Sequence, residues 1–127
     1  MKTLRLSRDL PNWEVLTLAL IRFILTPHGF RKSFQRTELM RQKNLDFLEM
    51  YTTELFKHKY NPQAMEQTLQ STLQTMRDKG YVTFLGAESY QLSPKGLQLL
   101  EKEEIRQVAN QLTIGIRALE GGYPSGS

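Results

Sequence analysis

Residues 61–96, NPQAMEQTLQSTLQTMRDKGYVTFLGAESYQLSPKG, carry the pattern that decides the fold of this chain. Asn61 is a good N-cap, and Pro62 suits the first position of a helix. Gly80 suits the position just after a helix, where a positive φ is needed. The segment therefore predicts a helix over 61–79, and its apolar residues at helical spacing form one core-facing stripe: Met65, Leu69, Leu73 and Met76.

The residues that follow predict a β-hairpin and another helix. Residues 81–85 (YVTFL) and 90–92 (YQL) alternate as strands do, with a tight connection over 86–89. Ser93 and Pro94 then cap and open a long helix over about 94–119. The chain reads as a mainly α protein with a small β-hairpin (α+β), one domain over 1–120 and a disordered tail over 121–127.

Upstream of this segment, two further regions predict helices. Asn12 opens a helix whose residues 15–25 are apolar on almost every side, which predicts burial in the middle of the domain or between two protomers. Residues 28–35 form a basic loop, and Thr37 can cap a short helix that Asn44 interrupts. A further helical pattern over 45–56 is either an insertion or the second helix of a helix-turn-helix.

Composition narrows the class of protein. The 127 residues include no cysteine, which removes disulfides and thiolate chemistry and fits a reducing cytoplasm, although an extracellular origin stays open. The apolar run over 15–25 is too short to span a bilayer, is interrupted by Arg22, and precedes no small-residue cleavage site. We therefore expect a core helix there and not a signal peptide.

The positive charge is unevenly distributed. The net charge is +4, with 11 Lys and Arg against 6 Asp and Glu over residues 1–60, and 6 against 7 over 61–127. A basic cluster is typical of a surface that binds phosphates, although a solvated protein face can carry the same charges. The cations are densest at five positions: Arg31, Lys32, Arg36, Arg41 and Lys43.

Signals for catalysis or metal binding are weak. No phosphate-binding glycine loop, HExxH motif or nucleophile elbow is present. The two histidines, His28 and His58, are far apart in the sequence, and the acidic residues over 101–104 are expected to be a solvated helix face. The sequence predicts no enzyme activity, no metal and no cofactor, and an enzyme of unrecognised type is the weakest alternative.

The run TLQTMRDKGYVTFLG followed by YQL resembles winged helix-turn-helix DNA-binding domains. More specifically, it resembles the C-terminal module of the Dam-replacing and DpnI-like restriction endonucleases, over residues 65–92, with looser similarity before them. Their catalytic domain has no counterpart here. The sequence LSPKG before a long helix resembles the PadR-type and MarR-type regulators, in which an extra helix dimerises.

The resemblance implies that the helix over 61–79 reads DNA bases and that the wing over 86–89 contacts the backbone. Glutamine can bond adenine bidentately, although glutamines also simply solvate a helix. The implied base contacts are Gln67, Gln70, Ser71 and Gln74. The expected backbone contacts are Arg31, Lys32, Arg36, Arg41, Lys43 and Arg77.

The last helix predicts a contact with a second chain. Its apolar residues recur at spacings of 3, 4, 4 and 3, and Gly115 would let another helix approach closely. The predicted dimer interface is Ile105, Val108, Leu112, Ile116 and Leu119. The sequence thus predicts a homodimeric transcriptional regulator that binds double-stranded DNA in a prokaryotic cytoplasm.

One departure from the resemblance favours an alternative function. A wing that touches DNA commonly carries Arg or Lys, but this one offers Ala87, Glu88 and Ser89. Glu88 would repel phosphate. Either the wing stays off the DNA backbone, or the domain is a protein-interaction subunit of a larger defence, transposition or replication assembly.

Overall fold

The computed structural model describes residues 12–26, 33–57 and 60–119. Within them the protein is mainly helical with a small antiparallel sheet, which confirms the predicted α+β class. The predicted tail over 121–127 lies outside the described residues. The elements are α1 (Asn12–Leu25), β1 (Ser33–Gln35), α2 (Arg36–Leu39), α3 (Gln42–Phe56), α4 (Pro62–Asp78), β2 (Val82–Gly86), β3 (Ser89–Leu92), α5 (Pro94–Leu100) and α6 (Glu103–Arg117).

Helix α1 lies at the centre of the core. Val15, Leu16, Thr17 and Leu18 follow one another at steps of about 100° around the helix, and each is at most 1% exposed. Helix α6 packs along α1, and α4 covers another side. The all-round apolar surface of α1 is therefore covered within one chain. No helix in the described residues is long and apolar enough to cross a bilayer.

Helix α4 begins and ends where the sequence predicts. The Asn61 side chain accepts a hydrogen bond from the Ala64 amide at 2.7 Å, and Gly80 adopts a φ of 79° after the helix. The Tyr81 amide donates to the Met76 carbonyl at 2.9 Å, which satisfies a free group of the last turn. All four residues of the predicted core stripe are fully buried.

The sheet contains one strand that the sequence did not predict. β2 and β3 form the expected hairpin, and β1 pairs with the other edge of β3, so that the strand order is β1-β3-β2. Assigning residues 33–35 to a loop was therefore wrong. Phe34 lies opposite Tyr90, with the two rings stacked at 5.7 Å. Three residues are too few to show a strand period, so only the partner strand reveals β1.

The wing turn has an unusual backbone. Ala87 and Glu88 have φ values of 50° and 64°, a conformation that two-residue hairpins require and that glycine and asparagine prefer. Neither side chain is of that type. Gly86 and Ser89 pair across the turn, so Ala87 and Glu88 form a two-residue connection.

The predicted C-terminal helix over 94–119 is two helices. α5 ends at Leu100 and α6 begins at Glu103. Arg22 of α1 donates a hydrogen bond to the Leu100 carbonyl at 3.0 Å and forms an ion pair with Glu101 at 3.2 Å. Because α1 satisfies the end of α5, the chain can turn there, and α6 then lies along α1.

The break between α2 and α3 lies earlier than predicted. Asn44 is inside α3 and buried, and does not interrupt a helix. Its side-chain amide donates to the carbonyls of Glu38 at 2.9 Å and Leu39 at 3.3 Å. Asn44 therefore satisfies the end of α2 from the following helix. The predicted Thr37 cap is replaced at the start of α2 by Glu38, whose carboxylate accepts from the Gln35 amide at 2.9 Å.

Candidate nucleic-acid interface

Helix α4 presents one polar stripe on the side opposite its core stripe. Its members are spaced by 4, 3, 4 and 3 residues, which places them on a single helix face. They are Gln63, Gln67, Gln70, Gln74 and Arg77. Ser71 is exposed beside this stripe. The structure thus brings the four predicted base-contact residues, Gln67, Gln70, Ser71 and Gln74, onto one side of α4.

Arg36 joins this side of α4 to the tip of the wing. Its guanidinium lies 3.7 Å from a Glu66 carboxylate oxygen on α4 and 3.3 Å from a Glu88 oxygen on the wing. The Arg36 amide also donates to the Glu88 carbonyl at 2.9 Å. Arg36 directly follows β1, so the pairing of β1 with β3 sets its position. The wing tip and the first half of α4 therefore border one surface.

Two open grooves flank Arg36. One, of about 610 Å³, runs along α4 and is lined by Arg36, Gln63, Glu66, Gln67, Gln70 and Ser71. The other, of about 570 Å³, lies between α2 and the wing. Arg41 borders this second groove together with Leu85 and Ser89. Two of the predicted phosphate-binding cations, Arg36 and Arg41, are thus placed next to the wing.

The remaining predicted cations are more scattered. The Arg77 guanidinium lies 5.1 Å from the centroid of the Phe84 ring, a cation–π contact that fixes it at the far end of α4. Lys43 is exposed in the first turn of α3 and lines neither groove. Arg31 and Lys32 lie outside the described residues.

The sequence did not reveal that Arg36 has two acidic partners. Glu66 and Glu88 are far from it in the sequence, so no local spacing indicates the contact. Both carboxylates are about half-exposed, so the ion pairs are screened by water and each contributes only a modest stability. A phosphate that approached Arg36 would have to compete with both of them.

The wing carries exposed apolar side chains and no basic residue. Phe84 and Leu85 are 39% and 52% exposed. Residues 82–92 contain a single charge, that of Glu88. The surface beside the wing therefore combines an acidic tip, an apolar flank and two cations, Arg36 of α2 and Arg41 just before α3.

The stripe predicted to form a dimer interface is buried inside the chain. Ile105, Val108, Leu112 and Ile116 have no exposed surface, and Leu119 is half-buried. The first four lie on α6, which packs along α1, and Leu119 follows the end of α6. Because α1 is apolar on every side, it takes up the stripe that the spacing alone assigned to a second chain. The predicted interface is therefore not on the surface of the described chain.

The close approach predicted at Gly115 occurs within the chain. The ring of Phe47, on α3, occupies the space where a β-carbon of residue 115 would lie. Nearby, the Tyr51 hydroxyl donates to Gln111 at 2.6 Å. The helix that packs closely against Gly115 is therefore α3 of the same chain.

An ion pair between a buried carboxylate and an exposed ammonium ties α1 to the end of α4. The Glu14 side chain is 4% exposed, and one carboxylate oxygen accepts a hydrogen bond from the Lys79 ammonium at 2.6 Å. This hydrogen bond raises the pKa of Lys79. The second oxygen has no hydrogen-bond partner in the structure of the described residues.

Two acidic residues of the segment 101–104 have partners on the protein surface. Glu101 forms an ion pair with Arg22, and the Glu103 carboxylate accepts a hydrogen bond from Gln107 at 3.1 Å. Within residues 12–26, 33–57 and 60–119, no three His, Asp or Glu side chains are grouped so that they could hold a metal ion.

Comparisons with protein families, with characterised proteins and with solved structures find no match to this chain.

Proposed function

We propose that this protein binds double-stranded DNA sequence-specifically, as a small dimeric transcriptional regulator in a prokaryotic cytoplasm. In this proposal the domain is a winged helix-turn-helix, with α4 as the helix that enters the major groove. The strand order β1-β3-β2 supports it, as does the position of α4 directly before the hairpin. Helix α3, which packs on α4, would be the preceding helix of the pair.

The observation that carries the proposal is the position of Arg36. Its contacts with Glu66 on α4 and Glu88 on the wing place the polar stripe of α4 and the wing on one surface. A duplex that received α4 in its major groove would meet the wing at the adjacent backbone. Gln67, Gln70, Ser71 and Gln74 would then face base edges.

The cations around this surface supply the backbone contacts of the proposal. Arg41 borders the wing groove and Arg77 lies at the end of α4, so both can reach phosphates on either side of the helix. Each neutralised phosphate contributes a slope of about −0.9 to the dependence of log affinity on log salt concentration. Arg36 contributes less than a free arginine, because the two carboxylates already screen its charge.

A mobility-shift selection from random-sequence duplexes, repeated at two salt concentrations, tests the proposal. We expect enrichment of a defined sequence and weaker binding at the higher salt. The variant Gln70→Ala with Gln74→Ala should lose about tenfold or more in affinity for that sequence. Its melting temperature should stay unchanged, because both side chains lie away from the core stripe.

Gln98→Ala is the matched control, since it removes an exposed glutamine from α5, away from both grooves. It should bind the selected sequence like wild type. If the Gln70→Ala, Gln74→Ala variant also binds like wild type, α4 does not read the bases. Absence of binding even at the lower salt concentration would reject DNA binding altogether.

A second function, as a protein-interaction subunit of a larger assembly, is favoured by the wing. Its exposed Phe84 and Leu85 and its acidic Glu88 fit a protein surface better than a phosphate backbone. The variant Leu85→Ser, which removes the exposed apolar side chain without adding a charge beside the DNA backbone, distinguishes the two functions. It should disrupt assembly with a protein partner if the wing docks on protein, and it should leave sequence selection from duplex DNA intact if α4 reads bases.

A further inference from the structure

The outer side of the contact between α3 and α6 exposes two large apolar side chains. Ile114 is 74% exposed and Met50 is 57% exposed, more than any other large apolar residue in the described part of the chain. Each lies in the middle of its helix, where a polar residue is usual. A surface of this kind commonly marks an interaction site.

Two contacts fix how α3 and α6 run past each other. The Phe47 ring lies against Gly115, and the Tyr51 hydroxyl bonds Gln111 at 2.6 Å. Residue numbers rise along α3 as they fall along α6, so the helices are antiparallel. Burial raises the pKa of Tyr51 to about 12, so the hydroxyl remains a donor into the alkaline range.

Met50 and Ile114 lie on either side of this junction. Met50 directly precedes Tyr51, and Ile114 directly precedes Gly115, both turned away from the buried sides of their helices. In the antiparallel register, the two residues are within about one helical turn of the same level. The half-buried Phe47 ring, which packs on Gly115 and stacks on Tyr51 at 5.6 Å, belongs to the same junction. We name the outer side of this junction, with Met50, Phe47 and Ile114, the α3–α6 strip.

We propose that the α3–α6 strip is the interface through which two copies of this chain form a twofold dimer. With the symmetry axis parallel to the helices, α3 of one copy lies over α6 of the other in the same antiparallel register. Met50 then meets the partner's Ile114, and Ile114 meets the partner's Met50. The strip of each copy thus covers the same strip of the other copy, as a twofold interface requires.

The charges along the two helices fit the same arrangement. On α3, Asp46 and Glu54 flank Met50, while on α6, Arg117 and Arg106 flank Ile114, and all four are exposed. In the register defined above, Asp46 lies near the level of the partner's Arg117, and Glu54 near that of the partner's Arg106. Each level therefore joins opposite charges, which favours a second copy over other occupants.

Further along, the same register places Lys57 of α3 near the level of the partner's Glu103. None of these exposed charged groups is in a salt bridge with another described residue; they are Asp46, Glu54, Lys57, Glu103, Arg106 and Arg117. Lys43 lies beyond Asp46 at the end of α3. Asp46 and Glu103 accept hydrogen bonds from neutral side chains of their own helices, Gln42 at 2.7 Å and Gln107 at 3.1 Å, and both stay exposed to a second chain.

A dimer formed through the α3–α6 strip would be the dimer of the proposed function, and its interface does not include the candidate DNA surface. None of the residues lining the groove along α4 belongs to α3 or α6. The inference rests on the proposed function only for the role of the dimer. Its test needs no DNA, so failure of the dimer and failure of DNA binding are separate results.

Light scattering after size-exclusion chromatography, over a series of protein concentrations, tests the interface. We expect wild type to approach twice the chain mass of 14.8 kDa. Ile114→Arg should raise the dimer dissociation constant by about tenfold or more, because it removes an apolar contact and places a charge against the partner's Met50. Because the Ile114 side chain is already exposed, the Ile114→Arg variant should fold normally. At low concentration its circular dichroism spectrum and melting profile should match those of wild type.

Leu85→Arg is the matched control, an equally drastic change of an exposed apolar residue on the wing, and it should leave the dimer intact. A charge exchange adds a second test. Asp46→Arg alone and Arg117→Asp alone should each weaken the dimer, and the double variant should restore it. A wild type that stays monomeric at every concentration, a dimer that Ile114→Arg leaves unchanged, or a dimer that only Leu85→Arg disrupts would each overturn the inference.

Discussion

Replacing Gly115 with alanine measures how closely α3 packs on α6. A β-carbon at this position would overlap Cε1 and Cζ of Phe47 and lie 2.7 Å from Cδ1, so the ring must move. Alanine favours the helix over glycine by about 1 kcal/mol. Overpacking costs about 1–3 kcal/mol, and displacing the ring weakens its stack on Tyr51. We expect a net loss of about 0.5–2 kcal/mol in the free energy of unfolding.

The same substitution in a Phe47→Ala background isolates the contact. Without the ring, alanine at 115 meets no obstacle, and the helix preference should stabilise the protein by about 1 kcal/mol. The change of sign between the two backgrounds corresponds to a coupling energy of about 1.5–3 kcal/mol between residues 47 and 115. An isolated exposed glycine would show no such coupling.

Urea denaturation followed by circular dichroism measures the four free energies of unfolding. All four proteins should be compared at one low concentration, because association would add to the apparent stability. Asn110→Ala, at an exposed site on the same helix, is the control. It should raise the free energy of unfolding by at most about 0.7 kcal/mol, through helix preference alone, and equally in both backgrounds. If Gly115→Ala has the same effect with and without Phe47, to within about 0.5 kcal/mol, the packing of α3 on α6 described above is wrong.

Three further predictions address the candidate interface and the core. Glu88→Gln removes one of the carboxylates that compete for Arg36, so the slope of log DNA affinity against log salt concentration should steepen by up to about 0.9; an unchanged slope would mean that Arg36 contacts no phosphate. The hydrogen bond to Glu14 raises the pKa of Lys79 above the 10.5 of an unfolded chain. The pair therefore stabilises the fold fully below pH 10.5, and this contribution is lost as the pH rises through the raised pKa. Thermal melts of wild type and Lys79→Met should differ at neutral pH and converge in strong alkali, whereas a constant difference would contradict the pairing. Leu73→Ala should lower the free energy of unfolding by about 2–5 kcal/mol in urea titrations, and a loss below about 1 kcal/mol would place Leu73 outside a packed core.

The candidate site was only partly predictable from the sequence. The polar stripe of α4 follows from the spacing of Gln67, Gln70 and Gln74, because helical geometry relates residues three and four apart. The partners of Arg36 did not follow, since no periodicity links a residue after β1 to α4 and to the wing. Glu66 and Glu88 reach Arg36 only because the chain folds back on itself, and their charges lower the salt dependence that we expect for DNA binding.

The predicted dimer interface failed for a related reason. The apolar residues of α6 do lie on one stripe, as their spacing predicts. The spacing indicates that this stripe will be buried, but it does not indicate which helix will bury it. Helix α1, apolar on all sides, covers it within the chain. The residues that we now propose for the interface, Met50 and Ile114, do not stand out in the sequence, because an isolated apolar residue on a helix becomes informative only when its exposure is known.

The sequence by itself determined the local elements of this protein. The Asn61 cap, the end of α4 at Gly80, the hairpin and the Ser93 cap each depend on interactions between residues a few positions apart, and residue type decides those directly. The tertiary structure alone decided the pairing of β1 with β3, the cover of the α6 stripe and the contacts of Arg36. These depend on which surfaces meet when apolar faces are buried together, and that choice is made by the whole core.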